Sequence, residues 1–381
     1  MDINLPLTLL GGLTAAQFMQ RHWQKKPLLV RQAVPGMQPP LDRSALFALA
    51  EREDVESRLI RQGPGGWTLR HGPLPRRALP PRKQPGWTML VQGVDLHDDR
   101  AHALLQQFRF LPDARLDDLM ISYASDTGGV GPHFDSYDVF LLQAHGSRRW
   151  SIGRQRDLSL QPGLPLKVLQ NFEPEQTFVL EAGDMLYLPP RYAHDGVAVG
   201  DDCMTYSIGL RSPASAGLGA DLLARIAEAH ADAQEDGDGG PPVHYRDPRQ
   251  PAVGAPAAMP AELQRFAREA VQAALRDADA IDRALGESMT EPKANVWFEP
   301  GALPGGFDAL TLDRRTRMLY DDRHIYINGE SFRAGGRDAK LMRKLADQRA
   351  LDARDLRGAS DDAVALMGDW CEAGWAHAAE M

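Results

Sequence analysis

His133 and Asp135, in Gly131-Pro-His-Phe-Asp135, offer an imidazole and a carboxylate two positions apart. In an extended segment alternate side chains share a face, so the two groups point the same way. Presented together they are two arms of a facial triad, the ligand set that holds iron(II) while leaving coordination positions open. His-x-Asp arises by chance in many chains, so a third arm decides. His194 supplies it. Glu181-Ala-Gly-Asp184 predicts a turn, Met185–Leu188 a buried strand, and Pro189-Pro190 stops that strand just before the histidine, about 60 residues after the pair. Two facing strands that deliver ligands to one mouth describe a double-stranded β-helix. The other histidines lack such a context: His145 falls in an expected turn, Ala144–Ser147, and is expected in solvent.

The elements that must position these residues are short. Strands are predicted at Trp87–Gln92, Leu119–Ser125, Tyr137–Gln143, Arg148–Gly153, Thr177–Leu180, Met185–Leu188 and Cys203–Leu210, with one helix near Asp99–Phe108. Such runs divided by turns indicate a barrel or sandwich. Residues 1–86 read as an N-terminal α/β segment that completes the barrel domain of residues 87–213. Within it Thr14-Ala-Ala-Gln17 is a capping box, Leu13 and Phe18 form a hydrophobic staple, and Gly63–Gly86 is a loop or hairpin. Residues 214–290 form a helical region, with amphipathic helices at Ala214–Ala231 and Ala261–Leu285 around an acidic, Pro/Gly-rich linker at 233–258. Two such helices suit a dimer interface, an inter-domain bundle or packing on their own domain. Residues 291–381 predict a small α/β unit: strands at Arg317–Tyr320 and His324–Ile327, a tight turn at Asn328-Gly329, and helices at Asp338–Gln348 and Asp361–Trp370. That order is compatible with a winged helix.

Bulk properties narrow the function. A chain of 381 residues exceeds one ordinary core, and 43% hydrophobic with 25% charged residues is a globular composition. No apolar run reaches the roughly 18 residues that span a bilayer, and no export signal is visible. Two cysteines, Cys203 and Cys371, make no disulfide framework, which fits a reducing cytoplasm. The net charge of −9 disfavours nucleic acid and permits a basic protein partner. A DNA-binding reading of the last domain fails on the same ground, because from Asp361 onward there are acids but no Lys or Arg to neutralise phosphate.

The runs Gly129-Val-Gly-Pro-His-Phe-Asp-Ser-Tyr-Asp-Val-Phe140, Gly146-Ser-Arg-Arg-Trp150 and Gly183-Asp-Met-Leu-Tyr-Leu-Pro-Pro190 with His194, and Trp23-Gln-Lys-Lys-Pro-Leu-Leu29 nearer the N-terminus, resemble the bacterial JmjC-type ribosomal oxygenases of the cupin superfamily. The resemblance spans nearly the whole chain. It implies an α+β protein with a mainly β core: a JmjC double-stranded β-helix, a helical dimerisation region and a winged-helix-like end. It further implies Fe(II), 2-oxoglutarate and O2 as cofactor and co-substrates. The implied reaction hydroxylates an arginine of large-subunit ribosomal protein sixteen at its Cβ. Rival readings are hydroxylation of another residue such as histidine, and a cupin small-molecule dioxygenase.

A 2-oxoglutarate enzyme needs a cation for the distal carboxylate, preferably a planar arginine fork. Arg148 shares strand parity with the apolar Trp150 and Ile152, whereas Arg149 does not, so Arg148 is expected to face the interior. The resemblance also points to Arg148, and it places Ser122 beside the same carboxylate. Asp118 and Met120 then share the face of Ser122, and Tyr137 follows His133 and Asp135. An aromatic ring, a thioether wall and a carboxylate suit a guanidinium guest. Ser207, on the strand after His194, is a further candidate for that pocket.

Overall fold

The structure, a computed structural model, describes residues 2–235, 241, 243–302 and 306–379. The chain folds as two compact units, Met1–Ser212 with Ala294–Trp297, and Pro213–Lys293 with Phe298–Met381.

In the first unit the helices start where polar caps stand. Thr14 Oγ1 accepts from the amide of Gln17, and Gln17 Oε1 accepts from the amide of Thr14, both at 3.1 Å, which opens α1 (Ala15–Arg21) with the expected capping box. Asp42 and Asp98 cap α2 (Arg43–Ala50) and α3 (Asp99–Gln106) in the same way. The strands are β1 (Leu28–Val30), β2 (Ser57–Gly63), β3 (Gly66–His71), β4 (Trp87–Val91), β5 (Leu116–Ala124), β6 (Val139–Gly153), β7 (Gln176–Leu180), β8 (Met185–Leu188) and β9 (Ala193–Leu210). They form one antiparallel sheet in the order β1-β8-β6-β9-β5-β4-β2-β3, with β7 also paired to β6. The N-terminal strands β1, β2 and β3 therefore complete the barrel sheet.

Two long strands make the roll. The first part of β6 pairs with β8 and with the last part of β9, from Val139↔Gly209 to Gln143↔Thr205. The second part of β6 pairs with β7 and with the start of β9, from Ser147↔Val199 to Gly153↔Ala193. The turn expected at Ala144–Ser147 is thus a pair of register shifts inside one strand. Gly146 makes the bend possible: its φ is +64°, and a Cβ there would lie 3.0 Å from the Asp202 carbonyl. His145 is exposed as expected, with Nδ1 2.7 Å from the Asp202 carbonyl. A second correction concerns His194, which is the second residue of β9 rather than the end of the strand closed by Pro189-Pro190. A third concerns the strand expected from Tyr137: it starts at Val139, because residues 136–137 bend.

Alternation divides the sheet into two faces. One packs on the helices through Phe18, Leu46, Phe47, Leu104, Phe108, Phe140, Tyr187 and Tyr206. The other is the barrel interior, where Val139, Leu141, Trp150, Ile152, Leu180, Leu186 and Leu188 meet. The site residues stand on that inner face.

The second unit holds α4 (Ser215–Glu235), α5 (Ala261–Ala274), α6 (Ala280–Thr290), β10 (Ala309–Leu312), β11 (Met318–Tyr320), β12 (His324–Ile327), β13 (Glu330–Arg333), α7 (Gly336–Gln348), β14 (Ala350–Leu351), α8 (Ala353–Leu356), α9 (Asp361–Glu372) and β15 (Ala376–Ala379). The single helix expected over Ala261–Leu285 is broken into α5 and α6. The Asp277 carboxylate accepts the Asp279 amide at 2.9 Å and pairs with Arg283 at 2.7 Å, and this local turn competes with the helix. Asn328 and Gly329, both at positive φ, close the two-residue turn between Ile327 and Glu330. Part of the expected linker, 236–240 and 242, lies outside the described residues. The described part at 243–259 carries no helix or strand, and no described helix is long and apolar enough to cross a membrane.

Candidate active site

His133 and His194 face each other across an isolated antiparallel bridge, each amide donating to the other's carbonyl at 2.9 and 2.8 Å. This bridge, with the Arg191 amide donating to the Asp135 carbonyl at 2.7 Å, fixes the otherwise irregular segment that carries the His-x-Asp pair. The two imidazole centroids stand 4.2 Å apart, and Asp135 Oδ2 lies 3.6 Å from His194 Nε2. Ligand atoms of His133, Asp135 and His194 all fall within 4.8 Å of one another, and among the described residues this is the one such group.

The tautomers follow from the backbone. His133 Nδ1 lies 2.8 Å from the Gly131 carbonyl and His194 Nδ1 2.9 Å from the Tyr192 carbonyl, in each case two residues upstream. A carbonyl only accepts, so both Nδ1 atoms carry the proton and both Nε2 lone pairs are left for a metal. Burial first, and His133 next, push the His194 imidazole down to about 4, which keeps it neutral at physiological pH. Two neutral imidazoles and one carboxylate on a common side fit an octahedral iron(II) with its remaining positions open.

Deeper along β6 and β9, Arg148 lies opposite Ala198, Trp150 opposite Gly196 and Ile152 opposite His194, so all six share the inner face. Gly196 is required there, because a Cβ would come 2.5 Å from the Trp150 ring. Arg148 is 3% exposed, and Arg149 is exposed, as parity predicts. Arg148 donates to the Gly196 carbonyl at 3.2 Å and to Ser122 Oγ at 3.5 Å, while its buried Nε has no hydrogen-bond partner. A buried guanidinium held this loosely is a site for an incoming carboxylate, and the dicarboxylate 2-oxoglutarate fits that place.

Towards the other end of β5, Asp118, Met120 and Ser122 share the inner face, and Met120 lies opposite Ser207. Asp118 and Ser207 are buried and Met120 is half-buried. Tyr137 is 38% exposed, yet burial, Asp135 and Asp118 together hold its phenol proton far above the usual range, with Arg58 acting in the opposite sense. Its hydroxyl therefore stands between the metal-binding carboxylate and Asp118. The pocket residues are brought together although the strand parity invoked for Tyr137 does not run through the bend at 136–137.

Sequence reasoning missed three contributions. Arg58 and Gln92 come from the β2 and β4 region and reach the pocket only through sheet pairing: Arg58 donates to Gln92 Oε1 at 2.7 Å, and Gln92 Nε2 donates to Asp118 at 3.2 Å. No local signal marks either residue. Asp138 is fully buried and accepts from Tyr187 Oη (2.5 Å), Gln24 Nε2 (3.1 Å) and Arg115 (3.4 Å). It anchors the segment behind Asp135, and the Trp23-Gln24 motif clasps it: Trp23 stacks on Tyr187 at 6.2 Å.

A double-stranded β-helix with a His-Asp-His triad at its mouth and a buried arginine beyond it defines a JmjC-type metal oxygenase. The comparisons agree. A family model described as JmjC domain matches residues 103–218, and one described as ROXA-like winged helix matches residues 264–377. The chain is 31% identical to the ribosomal protein uL16 3-hydroxylase of Escherichia coli (strain K12), over 91% of this chain and 92% of that protein. The X-ray structure of E. coli ycfD is similar at 29% identity and a TM-score of 0.78, covering 96% of this chain and 98% of that one. A structure of the ribosomal oxygenase YcfD from E. coli in complex with cobalt and 2-oxoglutarate is similar with a TM-score of 0.77, at 29% identity and the same coverage. This chain belongs to the JmjC-domain ribosomal oxygenase family.

Proposed function

We propose that this protein is a cytoplasmic Fe(II)- and 2-oxoglutarate-dependent hydroxylase that acts on an arginine of large-subunit ribosomal protein uL16, at Cβ. The observation that carries the oxygenase reading is the buried Arg148 guanidinium on the same inner face as His194, with Ser122 beside it and no partner on its Nε. The relative named a uL16 3-hydroxylase supports the ribosomal substrate.

His133, Asp135 and His194 would hold the iron. With 2-oxoglutarate and oxygen it supplies the oxidation that inserts one oxygen atom into a substrate C–H bond, giving the hydroxylated residue, succinate and carbon dioxide. The residues of the chain do the positioning. Arg148 and Ser122 take the distal carboxylate, Trp150 and Ile152 exclude water around it, and the Gly131 and Tyr192 carbonyls keep both imidazoles in their ligating tautomer.

At the mouth, Tyr137 offers a ring face, Met120 a thioether wall and Asp118 a buried carboxylate, with Ser207 opposite Met120. This set suits a guanidinium better than an ammonium, because a planar cation stacks on a ring while it pairs with a carboxylate. Incubation of the purified protein with iron(II), 2-oxoglutarate and uL16 should add 16 Da to one arginine in mass spectrometry, as the mass of one oxygen requires. Hydroxylation confined to a non-basic residue would refute the pocket.

The helical region supports a homodimer. Leu223, Val271, Leu275, Ile281 and Leu285 are between 37% and 64% exposed on α4 and the segment from α5 to α6, more apolar surface than a lone helical region keeps in water. A monomeric mass in solution at micromolar concentration would exclude it.

A further inference from the structure

Asp118 is reached from behind by a chain of two side chains. Gln92 Nε2 donates to Asp118 Oδ2 at 3.2 Å, and the Gly93 amide donates to the same oxygen at 3.1 Å. Gln92 Oε1 in turn accepts from Arg58 at 2.7 Å. Since arginine only donates, the Gln92 amide can have just one orientation, with its NH2 towards the carboxylate. Arg58 lies opposite Leu90 on β4, which lies opposite Ser122 on β5, so the arginine stands on the inner face two strands from the pocket. Its charge is felt there, because it counteracts Asp135 and Asp118 at the Tyr137 hydroxyl.

A cation this near a buried carboxylate would ordinarily pair with it. Here a neutral amide stands between them. We propose that Gln92 is an insulating positioning residue: it passes the fixed orientation of Arg58 on to Asp118 while keeping Arg58 from pairing with that carboxylate, so that the negative charge is left for the cationic side chain of the substrate. The inference rests on the guanidinium pocket proposed above. Without Gln92, Arg58 becomes an internal competitor for the place of the guest. Arg58 is then a specificity device in its own right, since a second cation beside the pocket is tolerated only while Asp118 is uncompensated.

The test is kinetic, on iron(II)-loaded full-length enzyme with a uL16 peptide that carries the target arginine. Gln92→Ala should raise the KM for the peptide by about tenfold or more, the equivalent of one charge-assisted hydrogen bond, with a much smaller change in the KM for 2-oxoglutarate. Arg58→Leu should raise it by less. The decisive measurement is the double variant Gln92→Ala/Arg58→Leu, whose peptide KM should fall below that of Gln92→Ala, because the internal competitor is gone. A merely structural role predicts that the two losses add. An unchanged KM in Gln92→Ala, or a double variant equal to or worse than it, overturns the insulator. Asp118→Asn separates the two levels: if it leaves the peptide KM unchanged, the guanidinium pocket itself falls and the insulator with it. If Asp118→Asn raises the KM while Gln92→Ala does not, the pocket stands and only the insulator falls.

Discussion

The inner end of the barrel and its mouth solve different problems with similar residues. At the inner end, Arg148 is buried between two strands, its neighbours are Trp150, Ile152 and Gly196, and its hydrogen bonds are long and few. At the mouth, Arg58 is half-buried, makes a 2.7 Å bond to an amide and shares its surroundings with two carboxylates and a phenol. The inner arginine is desolvated and under-satisfied, which makes it a strong receptor for one small dicarboxylate. The mouth is a set of compensated charges, which makes it selective among larger guests. Burial thus marks the part of the site that serves the chemistry, and networked polarity marks the part that chooses the substrate.

The largest effects should come from the triad that joins the two ends. His133→Ala, Asp135→Ala and His194→Ala should each reduce metal affinity by more than about 100-fold, beyond the range typical of outer-shell changes, and abolish 2-oxoglutarate turnover. Metal titration and succinate release measure this, and turnover retained in any of the three would remove the iron site.

Next in size is the inner end itself. Arg148→Ala should raise the KM for 2-oxoglutarate by roughly 10- to 100-fold, from about 1.5–3 kcal/mol per charge-assisted bond. Arg149→Ala, on the exposed face, should change it by less than about twofold. The reverse order in steady-state kinetics would mean that the inner face has been wrongly assigned.

The mouth should respond differently. Tyr137→Ala should weaken peptide binding by about 10-fold, through loss of ring stacking, while the KM for 2-oxoglutarate moves far less. If both constants rose together, the inner end and the mouth would be one site energetically and the contrast would collapse.

The smallest effect is one of stability. In the metal-free protein the folded His194 has its pKa depressed to about 4, against about 6.5 in the unfolded chain. Between those values the unfolded state binds more protons, so folding stability should fall as pH is lowered from about 6.5 to about 4. Thermal unfolding of metal-free wild type and His194→Ala over that window checks the sign, and the variant should show the shallower dependence.

Much of this site is legible in the chain because its signals are local. His133 and Asp135 sit two apart, Arg148 shares parity with Trp150 and Ile152, and each ligating histidine finds its orienting carbonyl two residues upstream. Capping at Thr14 and the turn at Asn328-Gly329 are local in the same sense, and both form as the residues predict. The long strands were harder. β6 and β9 carry turn-like residues at Gly146 and Gly200, and only pairing on both sides keeps the backbone extended through them. The break between α5 and α6 rests on one aspartate side chain competing for a backbone amide, a contest that apolar periodicity does not record.

By itself, then, the sequence determined the ligand types, the parity that turns Arg148 inward and the β-rich class of the fold, since each depends on residues close together along the chain. The tertiary structure decided what lies across strands. It set His194 opposite Ile152 at the start of a new strand, and it closed the His133–His194 bridge. It also brought Arg58 and Gln92 behind Asp118, and Gln24 and Tyr187 onto Asp138. These contacts join residues between 26 and 114 positions apart, except where neighbouring strands shorten the path. Sheet register, not chain proximity, sets them, and register is fixed only when the whole inner face is buried at once.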